Sequence, residues 1–496
     1  MMEDYRNLIV LICLSLYFVM CIGVGLWALR RTRSSHDFFM AGRELGVMVT
    51  AFALFSSTLS GFGFVGGPGM VYRMGISSLW MIVCGTVAAS FSFFLVAKRL
   101  RLFSEVYETV SLPDAVAVRY GSELSRLLSA VAIILGVIGY LAAQIKAMAV
   151  VLQEVLNNID MIPDVGIEVS LAISCAVLVF YCVTGGIIAG VYTDVVQGAI
   201  MMLAGVLVLL AAINSVDGGV SGAVATIMAD DPEAIGPWGT LGIMGSLSFY
   251  FLFVVGACGQ PHIVTKLMMT KRIRSLKNVL VVNFVAGTLA ALLWISIGLA
   301  MRATVVGGVH PELGKPDDAA YAFLQAYAHP ILAGVVFAAL FAAIMSTADG
   351  FLNIGAAAII HDIPKAIIGR SLDRELFWAR VATVAIAVGA ALFVLFSGEE
   401  LIALLGTFGW GTFAAALVPA VAIGFNWKRA TATAANVAIL ASLAVNLAIE
   451  LFEIEIPHKI HGGAVSLILS LTLFFGISLL TPPRKLPEDV EVVMDL

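Results

Sequence analysis

Apolar runs of about twenty residues, separated by short polar or Gly/Pro-rich stretches, recur along the whole chain. At 1.5 Å per helical residue, such a run crosses roughly 30 Å of hydrocarbon. Thirteen spans are predicted, starting near Asn7, Leu45, Ser77, Ser125, Val165, Ile187, Leu241, Ser275, Ile331, Phe377, Glu400, Thr431 and Gly463. Lipid offers the backbone no water to bond, so each run must satisfy its own amides and is predicted helical. A strand barrel would show alternating ten-residue segments, which the sequence lacks. The pattern predicts an all-α integral membrane protein, a single transmembrane domain over 1–496.

Two of these spans are interrupted. The second carries Ser56-Ser57-Thr58-Leu59-Ser60-Gly61-Phe62-Gly63-Phe64-Val65-Gly66-Gly67-Pro68-Gly69, and the seventh carries Gly256-Ala257-Cys258-Gly259-Gln260-Pro261-His262. One such stretch alone reads as close helix packing through small residues. Two, five spans apart, read as the first helices of two five-helix repeats, 45–213 and 239–427, with a midplane binding site where unwound backbone faces a ligand. Around this 5+5 core lie a peripheral first helix at 7–30, two C-terminal helices within 431–482, and a tail at 483–496.

Composition agrees with the pattern. Hydrophobic residues make up 60% of the chain and charged ones 12%, with a mean hydropathy of +1.01, whereas a soluble protein carries about a quarter charged. The net charge of -5 comes without a basic tract, so no nucleic-acid partner is expected. The first apolar run follows an acidic start and is too long for a cleavable leader, so it is read as a retained span. With the N-terminus outside, 22 Lys and Arg fall in inner loops, Lys266 among them, and 5 in outer loops, leaving Lys146 inside a span. That asymmetry predicts a cytoplasmic C-terminus, and the chain is read as a bacterial inner-membrane protein. The six cysteines lie inside apolar runs with no metal-ligand spacing, and no disulfide is expected.

An ionisable group at membrane depth costs at least ~2.5 kcal/mol, so each calls for a partner or a task. Lys146, Asp194 and Asp349 are in that position, and Lys146 and Asp349 are candidates to neutralise one another. His262, at the second break, reads equally as a hinge, a structural cap or a solute contact. Nothing in the pattern pairs a nucleophile with a base, so no enzyme is expected.

Several segments in order along the chain resemble the sodium:solute symporter family. They are Asp37-Phe38-Phe39-Met40-Ala41-Gly42-Arg43, the serine-rich break, Leu112-Pro113-Asp114 with Arg119-Tyr120-Gly121, and Tyr192-Thr193-Asp194-Val195-Val196-Gln197. Gly259-Gln260-Pro261-His262, Met345-Ser346-Thr347 and Trp427-Lys428-Arg429-Ala430-Thr431 continue the series. The resemblance implies a LeuT-like inverted-repeat fold with a sodium ion (Na+) bound by carbonyls of Ser56, Leu59 and Ala343 and hydroxyls of Ser346 and Thr347. Positions 343, 346 and 347 share one helix face, and five neutral oxygens suit sodium better than a divalent ion. Asp194 matches a family aspartate that in some members helps form a second ion site or exit path. Asp349 is less typical, and reads as a supporting carboxylate, a proton site or the partner of Lys146.

The nearest motif match is to sodium/proline permeases, through Gly259 to His262 and Tyr140. Those permeases carry a tryptophan and a tyrosine where this chain has Phe253 and Ala257, and an aspartate where it has Thr58. The resemblance implies sodium-coupled import, by alternating access, of a small amino acid such as proline or a monocarboxylate. Ser60, Gly61, Tyr140, Phe253, Ala257, Pro261 and His262 would line its pocket. A proton-coupled symporter and a transporter-like sensor with a separate signalling partner are the alternatives. The expected partners are solute, sodium and lipid bilayer, with no oligomer required.

Overall fold

The computed structural model describes residues 2–159, 163–396 and 402–495. These are helical almost throughout, with one isolated bridge, Leu45 to Thr270. The elements that build the site are α1 (Met2–Leu29), α2 (Val47–Thr58), α3 (Gly67–Met74), α4 (Glu123–Asn157), α5 (Ile167–Ser215), α6 (Gly242–Gly256), α7 (Pro261–Met268), α8 (Leu276–Val306), α9 (Pro330–Ala357), α10 (Glu375–Phe396) and α11 (Ile402–Val418). Two further helices, α12 (Ala432–Leu451) and α13 (Gly462–Leu480), close the chain's apolar part.

Among the described residues, ten helices are long and apolar enough to cross a membrane, or eleven when the pair bent by 54° across the first break is taken as one span. The expected thirteen is not reached in this way, and the difference has identifiable places. The fifth and sixth spans are joined in α5, whose 49 residues contain a break at Gly186, one residue before the expected start at Ile187. Unbroken, α5 would measure about 73 Å, over twice the hydrocarbon thickness. Gly186 has φ 54° and ψ -146°, and a Cβ there would meet the Phe38 ring at 2.5 Å, so the break demands glycine. The span expected from Ser77 is spread over Leu79–Ser92, Phe93–Ala97 and Lys98–Val106. The expected start at Glu400 lies outside the described residues, as does the Cys84 side chain.

Burial separates a core from a rim. In α9 and its continuation the apolar window is 83% buried, against 28% in α1. The run Ala338-Ala339-Leu340-Phe341-Ala342-Ala343 explains the difference, because small side chains let neighbours approach the α9 backbone closely. α9 packs against α5, α1, α4 and α2, and so stands between the two interrupted helices.

Candidate functional site

The first break begins where α2 ends: Leu59, with φ -91° and ψ 69°, leaves the helix while its amide still bonds Phe55 O. The chain resumes through Phe62–Gly66 into α3. At the second break the tight turn Ala257–Gly259 leads to extended Gln260, and Pro261 opens α7. Proline suits that first helical position, where its missing N–H is not needed.

α9 crosses both breaks, and its hydroxyls reach the first. Ser346 Oγ lies 3.0 Å from Ser56 O and 3.0 Å from Ala343 O, while Thr347 Oγ1 lies 3.1 Å from Ser57 O and 3.2 Å from Ala343 O. Ser56, Ala343, Ser346 and Thr347 are all fully buried. Four of the five expected sodium ligands are therefore brought together. Leu59 lies just past the end of α2, and Ser57 O, a residue outside the expected set, meets Thr347. Each hydroxyl retains acceptor lone pairs, so turning its hydrogen aside leaves a cluster of neutral oxygens, a set suited to a small monovalent cation.

Beside this cluster lies a buried ion pair that the sequence reading missed. Lys266 Nζ is 2.8 Å from Asp194 Oδ2, with side chains 1% and 0% exposed. The ammonium also donates to Ser57 Oγ at 2.5 Å and Ala53 O at 3.1 Å, and Ser56 Oγ donates to Asp194 Oδ1 at 3.0 Å. Lys266 is thus a core residue of α7, not an inner-loop charge. The signal was present: Leu267-Met268-Met269-Thr270 separates it from the basic pair Lys271-Arg272, placing it more than a turn deeper. Asp349 takes its hydrogen bond from the Tyr181 hydroxyl, 3.0 Å from Oδ2, and its Oδ1 accepts none. The candidate pairing with Lys146 is therefore replaced by a tyrosine contact.

The expected solute residues gather on the other side of the first break. Ser60 Oγ and the Tyr140 hydroxyl are 3.0 Å apart, and Gly61 N donates to Gln144 Oε1 at 2.8 Å. The His262 ring centre lies 4.4 Å from that of Phe351 and 6.1 Å from that of Tyr140. His262 is 1% exposed, its ring near the Ser57 backbone without a well-formed hydrogen bond at either nitrogen, and among the described residues Gln144 Nε2 has no partner. Phe253 stacks on Trp410 at 4.9 Å, and Gly409, the preceding residue, lies against Tyr140. Ala257 and Pro261 are buried at the second break. Gln144, Phe351 and Trp410 are the residues missed by the sequence reading. Gln144 was findable, since it lies four residues after Tyr140 and shares its helix face.

A separate network surrounds Asp114 in the short helix Leu112–Tyr120. Asp114 bonds Arg126, Lys365 at 3.0 Å and His361 Nε2 at 2.9 Å, while His361 Nδ1 lies 2.7 Å from Glu375. Asp114, His361 and Asp362 are close enough to share a metal ion, but cations and hydrogen bonds already engage Asp114 and His361 on both sides. This is an ion network fastening Leu112–Tyr120 to α4, to α10 and to the helical continuation of α9. Burial pushes the Asp114 carboxyl up, but the hydrogen bond and charge of His361, with Arg126 and Lys365, hold it well below the usual carboxylate range.

Comparison with known proteins gives a consistent picture. Residues 38–442 match the model of the sodium:solute symporter family. The chain is 28% identical over 450 residues to the osmoregulated proline transporter OpuE of Bacillus subtilis, covering 88% of each chain. It is 29% identical to the high-affinity proline transporter PutP of the same organism, covering 92% of this chain and 95% of that one. The sodium/pantothenate symporter of Escherichia coli is 26% identical, with 94% and 95% covered. Among solved structures, a sodium-coupled sialic acid symporter in a substrate-bound outward-open state superimposes with a TM-score of 0.80 at 19% identity, over 97% of this chain and 99% of that chain. A nucleobase-cation-symport-1 family transporter in a closed conformation matches with a TM-score of 0.60 at 13% identity, over 92% and 98%.

Proposed function

The chain belongs to the sodium:solute symporter family, and from that premise we propose that it imports a small carboxylate-bearing solute, an amino acid such as proline or a monocarboxylate, by alternating access. As a family member it is a multi-pass membrane transporter and not an enzyme, and sodium is its co-transported substrate, not a cofactor. In this reading Ser56, Leu59, Ala343, Ser346 and Thr347 hold the ion, and Asp194 and Asp349 tune it. The solute lies between the two breaks, against Ser60, Gly61, Tyr140, Phe253, Ala257, Pro261 and His262. The two breaks open repeats 45–213 and 239–427, with the N-terminus outside and the C-terminus cytoplasmic.

The observation that carries the solute class is a pair of polar groups buried beside aromatic walls, Gln144 Nε2 without a partner and the His262 imidazole without a well-formed hydrogen bond. A buried donor without a partner costs about 1–3 kcal/mol, which a ligand acceptor relieves. Gln144 is held by its other end on Gly61 N, so its amide N–H groups are aimed by the break itself. The first turn of α7, opened by Pro261 beside His262, adds the positive end of a helix dipole. Donors and a positive helix end favour an anionic group. The relatives named for proline and pantothenate handle solutes that also carry a carboxylate.

The test is competition in proteoliposomes under an inward sodium gradient, with unlabelled proline, acetate, pyruvate, pantothenate and a sugar set against uptake. Inhibition by a carboxylate supports the reading, and inhibition by the sugar alone contradicts it. Proton coupling remains the second reading because Asp349 Oδ1 accepts no hydrogen bond. Uptake driven by a proton gradient in sodium-free medium would favour it.

A further inference from the structure

The Lys266 ammonium is enclosed by three oxygens: Asp194 Oδ2, Ser57 Oγ and Ala53 O. An ammonium has three N–H donors, so this set occupies all of them. A buried carboxylate, a hydroxyl and a helix carbonyl are also the hard oxygen ligands that a small metal cation selects. The enclosure shares residues with the proposed sodium site. Ser57 donates its hydroxyl to Ser346 O and accepts from Thr347 at its carbonyl, while Ser56 gives its carbonyl to Ser346 and its hydroxyl to Asp194. Two cation positions therefore lie side by side across residues 56 and 57, and the chain fills one of them itself.

Asp349 is a further buried carboxylate close by. It lies against α5 at Gly190, where a Cβ would come within 2.6 Å of its Oδ2, one helical turn before Asp194. Lys266 already places one positive charge at Asp194, so a sodium ion entering there as well would set two cations against one carboxylate where little water screens them.

We propose that Lys266 is a tethered cation standing in a second cation position beside Asp194, so that one sodium, not two, accompanies each solute. This rests on the sodium-symport reading above. For a solute without net charge, such as zwitterionic proline, one sodium moving down a tenfold gradient and 100 mV sustains about 500-fold accumulation, and a second would square that factor. Lys266 thereby sets the limit of accumulation. Because it lies on α7, just past the second break, it also ties that half-helix to α2 and α5.

Binding of radiolabelled sodium to the purified protein in detergent, with choline replacing sodium as the control, tests this without a solute. The wild-type chain should bind one sodium with a Hill coefficient near 1. Lys266→Met should free Asp194 and bind two, Lys266→Arg should bind one, and the uncharged pair Lys266→Met/Asp194→Asn should return to one. Two sodium ions on the wild type, or one on folded Lys266→Met, would overturn the inference. If Lys266→Met does not fold, the wild-type count decides alone: one supports it and two overturns it. No sodium bound by the wild type is a different result, which overturns the sodium-symport reading and this inference with it.

Discussion

Replacing the Ser346 hydroxyl by hydrogen removes one oxygen from a group whose other members are buried or, at Leu59, half-buried. In the structure that hydroxyl spans α9 and α2, 3.0 Å from both Ser56 O and Ala343 O. With sodium bound, the same oxygen becomes a ligand, and bonds to charged groups are worth about 1.5–3 kcal/mol. Each 1.4 kcal/mol is tenfold in affinity, so Ser346→Ala should raise the sodium concentration for half-maximal uptake by about 10- to 150-fold. Thr347→Ala should do the same, since its hydroxyl joins Ser57 O and Ala343 O. Thr347→Ser, which keeps the oxygen, should stay near wild type. The assay is initial uptake against sodium concentration in proteoliposomes, with protein in the membrane measured for each variant. Normal sodium dependence in both alanine variants would refute this placement of the ion.

The other predictions concern neighbouring groups. Gln144→Ala should raise the solute concentration for half-maximal uptake about tenfold, by loss of one donor worth about 1.4 kcal/mol to an anion. Gln144→Glu should weaken a carboxylate solute further by repulsion, and equal affinity in all three proteins would remove Gln144 from the pocket. Asp194→Asn leaves the Lys266 ammonium buried without its counter-ion, at a cost of about 3–5 kcal/mol. Thermal stability in detergent should fall, and adding Lys266→Met should recover most of the loss; recovery absent in the double variant would count against the pairing. Asp114 has a depressed carboxyl pKa, so its contribution to stability is complete above the unfolded value of about 3.9 and is lost as pH falls through the lower folded value. Below about pH 4 the wild-type melting temperature should drop more steeply than that of Asp114→Asn, and parallel curves would show that the Asp114 network contributes little.

What was legible in the sequence was local. The two breaks announce themselves through clustered Gly, Pro and Ser, and Ser346 and Thr347 share a helix face with Ala343 by spacing alone. The contacts that went unread are long-range. Lys266 and Asp194 are 72 positions apart, and only the fold brings them to 2.8 Å. Counting Lys266 with the loop charges hid the partner of Asp194 and made Lys146 the apparent partner of Asp349. Asp194 consequently stood without a partner in the sequence, whereas the fold pairs it with Lys266. The Gly186 break was placed within one residue, because an apolar stretch that long exceeds any single crossing. Gln144 escaped notice for a different reason. Its role depends on which backbone amide lies opposite, and Gly61 N becomes available only where the helix comes apart.

The central claim is that sodium and a carboxylate solute move together through the paired breaks. A solid-supported-membrane recording from proteoliposomes, in which proline, a zwitterion whose symport with one sodium carries net charge, is added with and without sodium, measures that joint movement directly. The account predicts an inward current that needs both the carboxylate and sodium, and that Ser346→Ala shifts to higher sodium. A current of equal size in sodium-free medium, or one evoked by a sugar and by no carboxylate, would contradict it.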